Sequence, residues 1–333
     1  MKSIFLCQEK GTVYRVFDRN LIQKLSREAE LDETVYKKED VLSAPEKFSE
    51  TKFVFSTWGM PTFDESEIKA CFPNLQCVFY AAGTVQNFAR PFLNCGVKVF
   101  SAWAANAVPV AEYTVAQIIL ANKGFFPQTR LMAEKRLDDA KRRLWVSGGN
   151  YKGSVGLIGC GMIGSLVAEM LKRYELNVFA FDPFLTEEKA KKLNVTTVSL
   201  DELFERCGVV SNHLANNDAT KGMLRYRHFI KLPQYAAFLN TGRGAQVVED
   251  DLVRALTERP DLTAVLDVTY PEPAPLSHPF YTLPNCFLTP HIAGSIGGEV
   301  VRMGEYMARE YEQFVKGNPC RFEVNLKMLE TMA

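Results

Sequence analysis

The sequence has no excess of charge of either sign. Among its 333 residues, 39 Lys and Arg balance 39 Asp and Glu, so the formal net charge is zero. Nucleic-acid-binding proteins usually carry a surplus of basic residues, and the balance therefore predicts no nucleic-acid partner. The hydrophobic share of 47% is ample for buried cores, and the length predicts two domains.

Signals for membrane insertion and for metal binding are also missing. Residues 1–17 contain few apolar side chains before charges resume, which fits neither a signal peptide nor a membrane span. The eight cysteines form no C-x-x-C pair and no cluster with histidine, so no metal site is expected. Most of them lie in or beside apolar runs and are interpreted as small buried side chains in a reducing cytosol. We therefore expect a cytoplasmic chain with no membrane partner.

The strongest functional signal lies in residues 155–182. The stretch reads VGLIGCGMIGSLVAEMLKRYELNVFAFD, an apolar strand, a G-x-G-x-x-G turn, an amphipathic helix and a second strand. The three glycines permit a tight turn, close approach of a pyrophosphate to the backbone, and close packing of helix on sheet. The pattern predicts dinucleotide binding at the amino end of the helix, and a glycine-rich turn without a ligand is the alternative. The predicted binding residues here are Gly159, Gly161, Met162, Ile163 and Gly164.

Asp182 ends this stretch and predicts which dinucleotide binds. Its carboxylate can accept hydrogen bonds from the adenosine ribose hydroxyls and would repel a 2′-phosphate. The next residues, 183–185, are Pro, Phe and Leu, so no cation follows immediately to neutralise such a phosphate. The sequence therefore favours NAD over NADP as the cofactor.

Strand and helix signals alternate along the whole chain. Such alternation predicts an α/β fold of two doubly wound parallel sheets with helices on both faces. The predicted strands are 2–6, 53–57, 76–81, 97–101, 154–158, 178–181, 196–199, 208–214, 236–240, 262–267 and 286–289. The predicted helices include 19–30, 65–72, 85–93, 200–207 and 250–257.

Two long helical segments define the predicted domain boundaries. The segments 104–123 and 299–314 are predicted to be helices that cross between domains, with Asn106 as a candidate N-cap and Pro109 in the first turn. Segment 131–145 is a basic amphipathic run, interpreted as a solvated helix face at zero net charge. The predicted domains are a discontinuous substrate-binding domain, 1–103 with 296–333, and a dinucleotide-binding domain, 104–295.

Four ordered motifs resemble the NAD-dependent D-isomer-specific 2-hydroxyacid dehydrogenases. They are the glycine-rich stretch together with VAE at 110–112, NTGRG at 240–244, LDVTYPEP at 266–273, and TPHIAG at 289–294. The resemblance covers nearly the whole chain and is specific for the family but not for a substrate. It implies a flavodoxin-like substrate domain, a Rossmann domain, an active-site cleft between them, and a homodimer built on the helix at 104–123.

The resemblance implies a catalytic triad of Arg243, Glu272 and His291. A guanidinium can bind the carboxylate of a 2-oxo acid and stabilise the carbonyl oxygen as hydride arrives. An imidazolium can give that oxygen a proton, and a neighbouring carboxylate favours the charged imidazole and fixes its orientation. The alternatives are a surface ion pair for Arg243 and a solvated loop acid for Glu272, while His228 and His278 are interpreted as structural.

The other residues implied by the resemblance bind the cofactor or the substrate. On the cofactor, the expected residues are His213, Thr241, Gly242, Asp267, Ala293 and Gly294. On the substrate, the expected residues are Trp58, Ala82, Gly83 and Asn106. A turn cap is the alternative for Asp267 and a packed core side chain for Trp58, and His213 is expected to contribute backbone contact. The family's usual G-x-D is absent after Gly83, where Val, Gln and Asn follow.

The expected function is NADH-dependent reduction of a small 2-oxo acid, or the reverse oxidation of a 2-hydroxy acid. Formate-oxidising relatives carry Gln at the position of Glu272, because formate oxidation needs no proton from the histidine, and this chain departs from them there. An NAD-sensing binding protein, like the transcriptional corepressors that share this fold, is the alternative from a different class. Those proteins keep an intact triad, so turnover of 2-oxo acids is the measurement that separates the two interpretations.

Overall fold

A computed structural model describes residues 3–146 and 148–330 of the chain. The chain divides into two compact units. Unit 1 comprises residues up to Asn106 and residues from Ser295 onwards, and unit 2 comprises Ala107–Gly294. The two boundaries lie three residues and one residue from those expected from the sequence.

Strands and helices alternate in both units. The strands are β1 (Ser3–Leu6), β2 (Leu31–Tyr36), β3 (Phe53–Ser56), β4 (Cys77–Tyr80), β5 (Lys98–Ser101), β6 (Ser154–Ile158), β7 (Asn177–Phe181), β8 (Thr196–Thr197), β9 (Val209–Asn212), β10 (Ala237–Asn240), β11 (Thr263–Leu266), β12 (Cys286–Leu288) and β13 (Glu323–Val324). The helices are α1 (Lys10–Val16), α2 (Arg19–Glu28), α3 (Lys38–Ser43), α4 (Glu65–Cys71), α5 (Ala89–Asn94), α6 (Trp103–Asn122), α7 (Phe125–Ala133), α8 (Leu137–Arg143), α9 (Met162–Leu171), α10 (Glu187–Leu193), α11 (Leu200–Arg206), α12 (Tyr226–Phe229), α13 (Glu249–Glu258) and α14 (Val300–Val315).

The sheet of unit 1 has the order β13-β5-β4-β3-β1-β2. Strands β1 to β5 pair in parallel, and β13 adds to the edge of β5 in antiparallel orientation. Read from β2, the parallel part is ordered 2-1-3-4-5, which is the flavodoxin-like order. The predicted flavodoxin-like domain is therefore confirmed.

Alternation of side-chain size along these strands builds two cores on opposite faces of the sheet. One face carries a row of phenylalanines, in which the ring of Phe79 stacks on Phe55 and Phe100 with centroids 5.2 and 4.9 Å apart. The opposite face carries the smaller Val54 and Val78. Because helices cover both faces, each of these strands is almost continuously apolar, as parallel strands buried on both sides usually are.

The sheet of unit 2 has seven parallel strands in the order β12-β11-β10-β9-β6-β7-β8. Counted within the unit and read from β8, this is 3-2-1-4-5-6-7, the Rossmann order with one added strand. Apolar clusters again lie on both faces. The predicted Rossmann domain is confirmed, and the reversal of strand order falls between β6 and β9.

The structure corrects two local predictions and adds one strand. Asn106 is not the N-cap of α6, because that helix begins at Trp103 and places Asn106 and Pro109 inside it. The basic run predicted as one segment is divided between α7 and α8, with Lys135 in the left-handed region at φ 58°. Strand β2 was not predicted, because polar residues interrupt its apolar pattern, and these residues are partly or fully exposed on an edge strand.

Helix α6 is long and apolar enough to cross a membrane by length and composition alone. It has 20 residues, a mean hydropathy of 1.2 over its most apolar stretch, and 44% of that stretch buried within the chain. Its residues Ala111, Val115 and Ile118 belong to an apolar cluster of unit 2. The helix therefore has a core-packing role, as the apolar helices of globular domains do.

Candidate functional site

The predicted cofactor and catalytic residues of unit 2 all follow the carboxyl ends of its strands. The glycine turn follows β6, Asp182 follows β7, and His213 follows β9. Arg243 follows β10, and the segments with Glu272 and His291 follow β11 and β12 in the same way. Ligands of doubly wound sheets bind at this edge, next to the reversal of strand order.

The glycine turn has the geometry that its spacing predicts. Gly159 adopts φ 91°, and a Cβ there would lie 2.7 Å from the carbonyl oxygen of His213. A Cβ at Gly164 would lie 2.0 Å from the carbonyl oxygen of Gly159, so the turn and the helix are in direct backbone contact. A Cβ at Gly161 would meet nothing within 4 Å. The one open glycine is therefore the one expected to face the pyrophosphate.

Helix α9 presents an uncapped amino end to this open space. Its N-cap is Gly161, and no side chain caps the first backbone N–H groups of this ten-residue helix. Met162 is 48% exposed, and Ile163 is partly buried. Free N–H groups and the positive end of the helix dipole suit the phosphates of a dinucleotide, so the residues present fit NAD.

Asp182 is tied to the glycine turn. Its Oδ2 accepts a hydrogen bond of 2.6 Å from the N–H of Cys160, and its Oδ1 accepts one of 2.8 Å from the N–H of Phe184. A carboxylate has about four acceptor sites, so both oxygens keep capacity for ribose hydroxyls. The backbone bonds fix the carboxylate at the end of β7, where the sequence placed it.

A cation that sequence reasoning missed contacts the glycine turn. Lys189, in the first turn of α10, donates from Nζ to the carbonyl oxygen of Cys160 at 2.6 Å. Thus one residue, Cys160, contacts Asp182 through its N–H and Lys189 through its carbonyl. Lys189 lies seven residues after Asp182 in the chain, on a helix that begins after the N-cap Thr186.

His213 lies with its ring inside the protein. Its Nε2 is 3.0 Å from the hydroxyl of Ser211, and its backbone N–H donates to Ile158 at 2.7 Å. Burial lowers the pKa of His213 to about 4, so the ring is neutral at physiological pH. A neutral, buried ring agrees with a backbone role for this residue rather than with acid–base catalysis.

A buried amide network, also missed from the sequence, holds the loop that carries Arg243. The side-chain nitrogen of Asn212 donates to Asn240 Oδ1 at 3.0 Å and to Gln246 Oε1 at 2.6 Å. Asn240 in turn donates to the carbonyl of Arg243 at 3.1 Å and accepts from the N–H of Gly242 at 3.1 Å. The three amide side chains are at most 1% exposed. Because buried amides must satisfy one another, this network fixes the loop backbone.

Arg243 carries a half-buried guanidinium with no carboxylate partner among the residues that the structure describes. Its Nη1 donates to the carbonyl of Gly242 at 2.8 Å, and no Asp or Glu within residues 3–146 and 148–330 forms an ion pair with it. Burial lowers the pKa of Arg243 from its ordinary value, and the charge of Glu272 opposes this effect. A desolvated guanidinium without a partner is suited to bind a carboxylate from outside the chain.

Thr241 and Gly244 set the surroundings of Arg243. The Oγ1 of Thr241 lies 3.1 Å from the hydroxyl of Thr114 on α6, in a buried contact. A Cβ at Gly244 would lie 2.1 Å from the carbonyl carbon of Thr269, so the backbone of this loop touches the segment after β11. The Arg243 loop is therefore in direct backbone contact with Thr269, which precedes Glu272 by three residues.

Asp267 anchors the segment that carries His291. Its Oδ1 accepts from the N–H of Ile292 at 2.8 Å and its Oδ2 from the N–H of Ala293 at 2.9 Å. The hydroxyl of Thr289 donates to Oδ1 at 2.6 Å. Asp267 is 3% exposed, and the contacts are those of a turn cap, the alternative weighed for it. Its role toward the cofactor, like that of Ala293 and Gly294, stays a prediction.

His291 and Glu272 form a hydrogen-bonded pair. Nδ1 of His291 lies 2.5 Å from Oε1 of Glu272, with the two side chains 43% and 37% exposed. His291 adopts φ 55°, a left-handed conformation that costs a non-glycine residue about 1 to 2 kcal/mol. The segment held by Asp267 imposes this conformation, and with Nδ1 bonded to Glu272 the other ring nitrogen, Nε2, is left for a reacting group.

The residues expected on the substrate lie in unit 1. Nδ2 of Asn106 is 3.9 Å from the position of a Cβ on Gly83, and Asn106 Oδ1 accepts from the N–H of Ser295 at 2.9 Å. Ser101 fixes the same loop, since its hydroxyl is 2.9 Å from the carbonyl oxygen of Ala82. Trp58 is 39% exposed after β3 and is not a packed core side chain. Their contact with a substrate stays a prediction.

The part of the chain that the structure describes contains no group of three or more His, Cys, Asp or Glu side chains arranged to hold a metal ion. All eight cysteines are free, and five of them are buried.

Fold and site together define a dinucleotide-binding α/β protein. The family model for the NAD-binding domain of D-isomer specific 2-hydroxyacid dehydrogenases matches residues 115–293. The chain therefore belongs to the D-isomer-specific 2-hydroxyacid dehydrogenases. Unit 2 is their NAD-binding domain, and NAD is its cofactor.

The chain is also similar to individual proteins in sequence and in fold. D-3-phosphoglycerate dehydrogenase of Bacillus subtilis is 31% identical over 231 residues, 69% of this chain and 43% of that protein. Human glyoxylate reductase/hydroxypyruvate reductase is 33% identical over 185 residues, 55% of this chain and 56% of that protein. The NAD-complexed D-isomer specific 2-hydroxyacid dehydrogenase of Lactobacillus delbrueckii ssp. bulgaricus has a TM-score of 0.79 at 19% identity, covering 98% and 100% of the two chains, and shows the fold.

The chain spans about half the length of several curated relatives that it matches. The aligned part spans between 41% and 50% of three D-3-phosphoglycerate dehydrogenases, from Bacillus subtilis, Archaeoglobus fulgidus and Synechocystis. Family membership and the NAD-binding domain follow from these comparisons, whereas the substrate belongs to the proposal that follows.

Proposed function

We propose that the chain transfers hydride between NADH and the C2 carbonyl of a small 2-oxo acid, and catalyses the reverse oxidation. The observation that carries the proposal is the Glu272–His291 hydrogen bond of 2.5 Å in the segments after β11 and β12. It leaves Nε2 of His291 as a proton donor, and the unpaired guanidinium of Arg243 belongs to a loop in contact with the same region.

The residues divide the chemistry between them. Arg243 binds the substrate carboxylate and stabilises the carbonyl oxygen as negative charge develops there. His291, as the imidazolium, gives that oxygen a proton from Nε2, and Glu272 stabilises the positive ring through Nδ1. In the oxidation direction neutral His291 removes the hydroxyl proton. NADH, when bound, supplies the hydride.

The proposed substrate class is defined by its chemistry. A carboxylate beside a carbonyl group matches one guanidinium and one proton donor, and Trp58 with the Ala82–Gly83 loop is proposed to contact the rest of the acid. The presence of Glu272 supports this class over formate oxidation. The similarity to a glyoxylate reductase/hydroxypyruvate reductase supports testing the smallest 2-oxo acids first.

The test is a panel of 2-oxo acids with NADH. Oxidation of NADH is followed with glyoxylate, hydroxypyruvate, pyruvate, phenylglyoxylate and 3-phosphohydroxypyruvate, and Arg243→Gln is the matched variant. We expect turnover with at least one acid and a loss on the order of a hundredfold in Arg243→Gln. NADH binding without turnover of any acid would support the NAD-sensing alternative instead.

We further propose a cytoplasmic homodimer built on α6. Eight free cysteines support a reducing compartment. The apolar character of α6, with less than half of its most apolar stretch buried within the chain, supports its use in a subunit contact. Light scattering of the purified protein tests the dimer, and a monomer across the micromolar range contradicts it.

A further inference from the structure

One carboxylate holds both ends of the segment that carries Glu272. Glu249, the first residue of α13, accepts through Oε1 a hydrogen bond of 2.8 Å from the backbone N–H of Tyr270. Its Oε2 lies 3.4 Å from Nε2 of His278. The side chains of Glu249 and His278 are 11% and 15% exposed. Glu272 lies between these two points, and we refer to residues 270–278 as the Glu272 segment.

The far end of the segment is oriented toward Glu249. Nδ1 of His278 accepts from the N–H of Phe280 at 3.3 Å, so Nε2 carries the ring proton and faces the carboxylate. The rings of His278 and Phe280 pack with centroids 4.4 Å apart. The hydroxyl of Tyr281 donates to the carbonyl of Ala274 at 3.1 Å. These contacts make the segment a braced structure whose link to α13 is Glu249.

We propose that Glu249 is a positioning residue, which holds Tyr270 and His278 so that Glu272 stays in contact with Nδ1 of His291. The inference rests on the proposed function, because Glu249 acts on the reaction only through the Glu272–His291 pair. Glu272 is 37% exposed, so water competes for its carboxylate once the backbone around it is free to move. A displacement of about 1 Å is enough to weaken such a catalytic contact severely.

The charge of Glu249 has to be separated from its hydrogen bond. Burial raises the pKa of Glu249 to about 7. The hydrogen bond from the Tyr270 N–H acts to lower this pKa, and the negative charge of Asp250 acts to raise it. His278 and Cys286 are the other titratable groups near it. Glu249→Gln loses the charge but keeps an oxygen that can accept the hydrogen bond from the Tyr270 N–H. Glu249→Ala loses both the charge and the acceptor oxygen. The two variants therefore distinguish positioning from electrostatics.

The experiment measures the pH dependence of kcat/KM for reduction of glyoxylate, or of the panel acid reduced fastest, by NADH. We expect Glu249→Ala to lose reduction at a lower pH than the parent, in the same direction as Glu272→Gln. The pH profile of Glu249→Gln is expected to shift less than that of Glu249→Ala. In the Glu272→Gln background, Glu249→Ala is expected to cause no further shift, because the residue it positions is already gone. Glu258→Gln, which removes an exposed carboxylate from the far end of α13, is the matched control and keeps the parent profile.

Each outcome decides the proposal. An unchanged profile in Glu272→Gln overturns the acid–base pair and this inference with it. If the pH profile shifts in Glu272→Gln but not in Glu249→Ala, the role of Glu249 is overturned and the acid–base pair stands. Equal shifts of the profile in Glu249→Ala and Glu249→Gln, or a further shift in the double variant, also overturn the role of Glu249. NADH binding by fluorescence verifies folding. If Glu249→Ala does not bind NADH, the test uses His278→Leu, which removes the contact of Glu249 with His278. We expect the pH profile of reduction to shift in His278→Leu, and an unchanged profile contradicts the inference.

Discussion

The two halves of the unit 2 site are built by different means. In the nucleotide-binding half, the open space at Gly161 and the uncapped start of α9 are backbone features, and Asp182 itself is held by two backbone N–H groups. In the acid–base half, the proposed chemistry depends on side chains. Glu272 pairs with His291, and polar residues inside the unit fix the loops that carry them. Binding and chemistry should therefore be separable by substitution.

The largest separation is expected from His291→Ala. The variant loses the proton donor, and we expect turnover to fall on the order of a hundredfold or more while NADH affinity changes little. Loss of a left-handed non-glycine conformation is a secondary effect, and His291→Asn keeps a residue type that tolerates this φ. Single-turnover reduction and NADH fluorescence titration measure the two quantities. Equal turnover in His291→Ala and the parent would remove His291 from the mechanism.

A smaller effect, visible as a shift in pH, is expected from Glu272→Gln. Gln carries no negative charge to stabilise the positively charged ring that it contacts. Reduction needs the charged ring and is therefore lost at a lower pH, while oxidation, which needs the neutral ring, suffers less at neutral pH. A shift of one unit corresponds to about 1.4 kcal/mol, a plausible size for a neighbouring carboxylate. The measurement is kcat/KM against pH in both directions, and coincident reduction profiles contradict the assignment.

The same division explains what the sequence could predict. The G-x-G-x-x-G spacing and the strand before it depend on local backbone geometry, so the turn and the helix followed from residues 154–182 alone, whereas the Rossmann domain was implied by the family resemblance. Arg243, Glu272 and His291 are far apart in the chain, and their roles came from family resemblance rather than from spacing. The Glu272–His291 contact required the structure, because it depends on how two strand-end segments fold back.

The sequence did not predict the buried polar side chains that hold the site loops in place. Asn212, Asn240 and Gln246 read as ordinary polar residues at strand ends, and only the fold shows that their amides satisfy one another. Asn106 was misassigned because α6 begins at Trp103, three residues before the polar residue that suggested a cap. Local capping preference was overridden there by a tertiary hydrogen bond to Ser295.

In the nucleotide half, Asp182→Ala should change cofactor preference and leave the proton-transfer step intact. The variant loses the acceptor for the ribose hydroxyls and the charge that repels a 2′-phosphate. We expect about a tenfold rise in KM for NADH and a smaller preference over NADPH. Steady-state kinetics with both nucleotides checks this, and Asp182→Asn separates charge from hydrogen bonding. A parent that uses NADPH as well as NADH would contradict the assigned role of Asp182.

The smallest effect is expected from Lys189→Ala, which tests the cation beside the glycine turn. Nζ of Lys189 lies 2.6 Å from the carbonyl oxygen of Cys160, whose N–H donates to Asp182, so the lysine and the aspartate contact the same residue of the turn. Its positive charge partly offsets Asp182 toward a 2′-phosphate, and we expect Lys189→Ala to weaken use of NADPH about two- to fivefold more than use of NADH. Lys192→Ala removes an exposed charge from the same helix and should match the parent. Because a partly exposed charge is screened, the difference should shrink as ionic strength rises from low salt to several hundred millimolar. Equal losses with the two nucleotides would show that Lys189 acts only by bracing α10 against the turn.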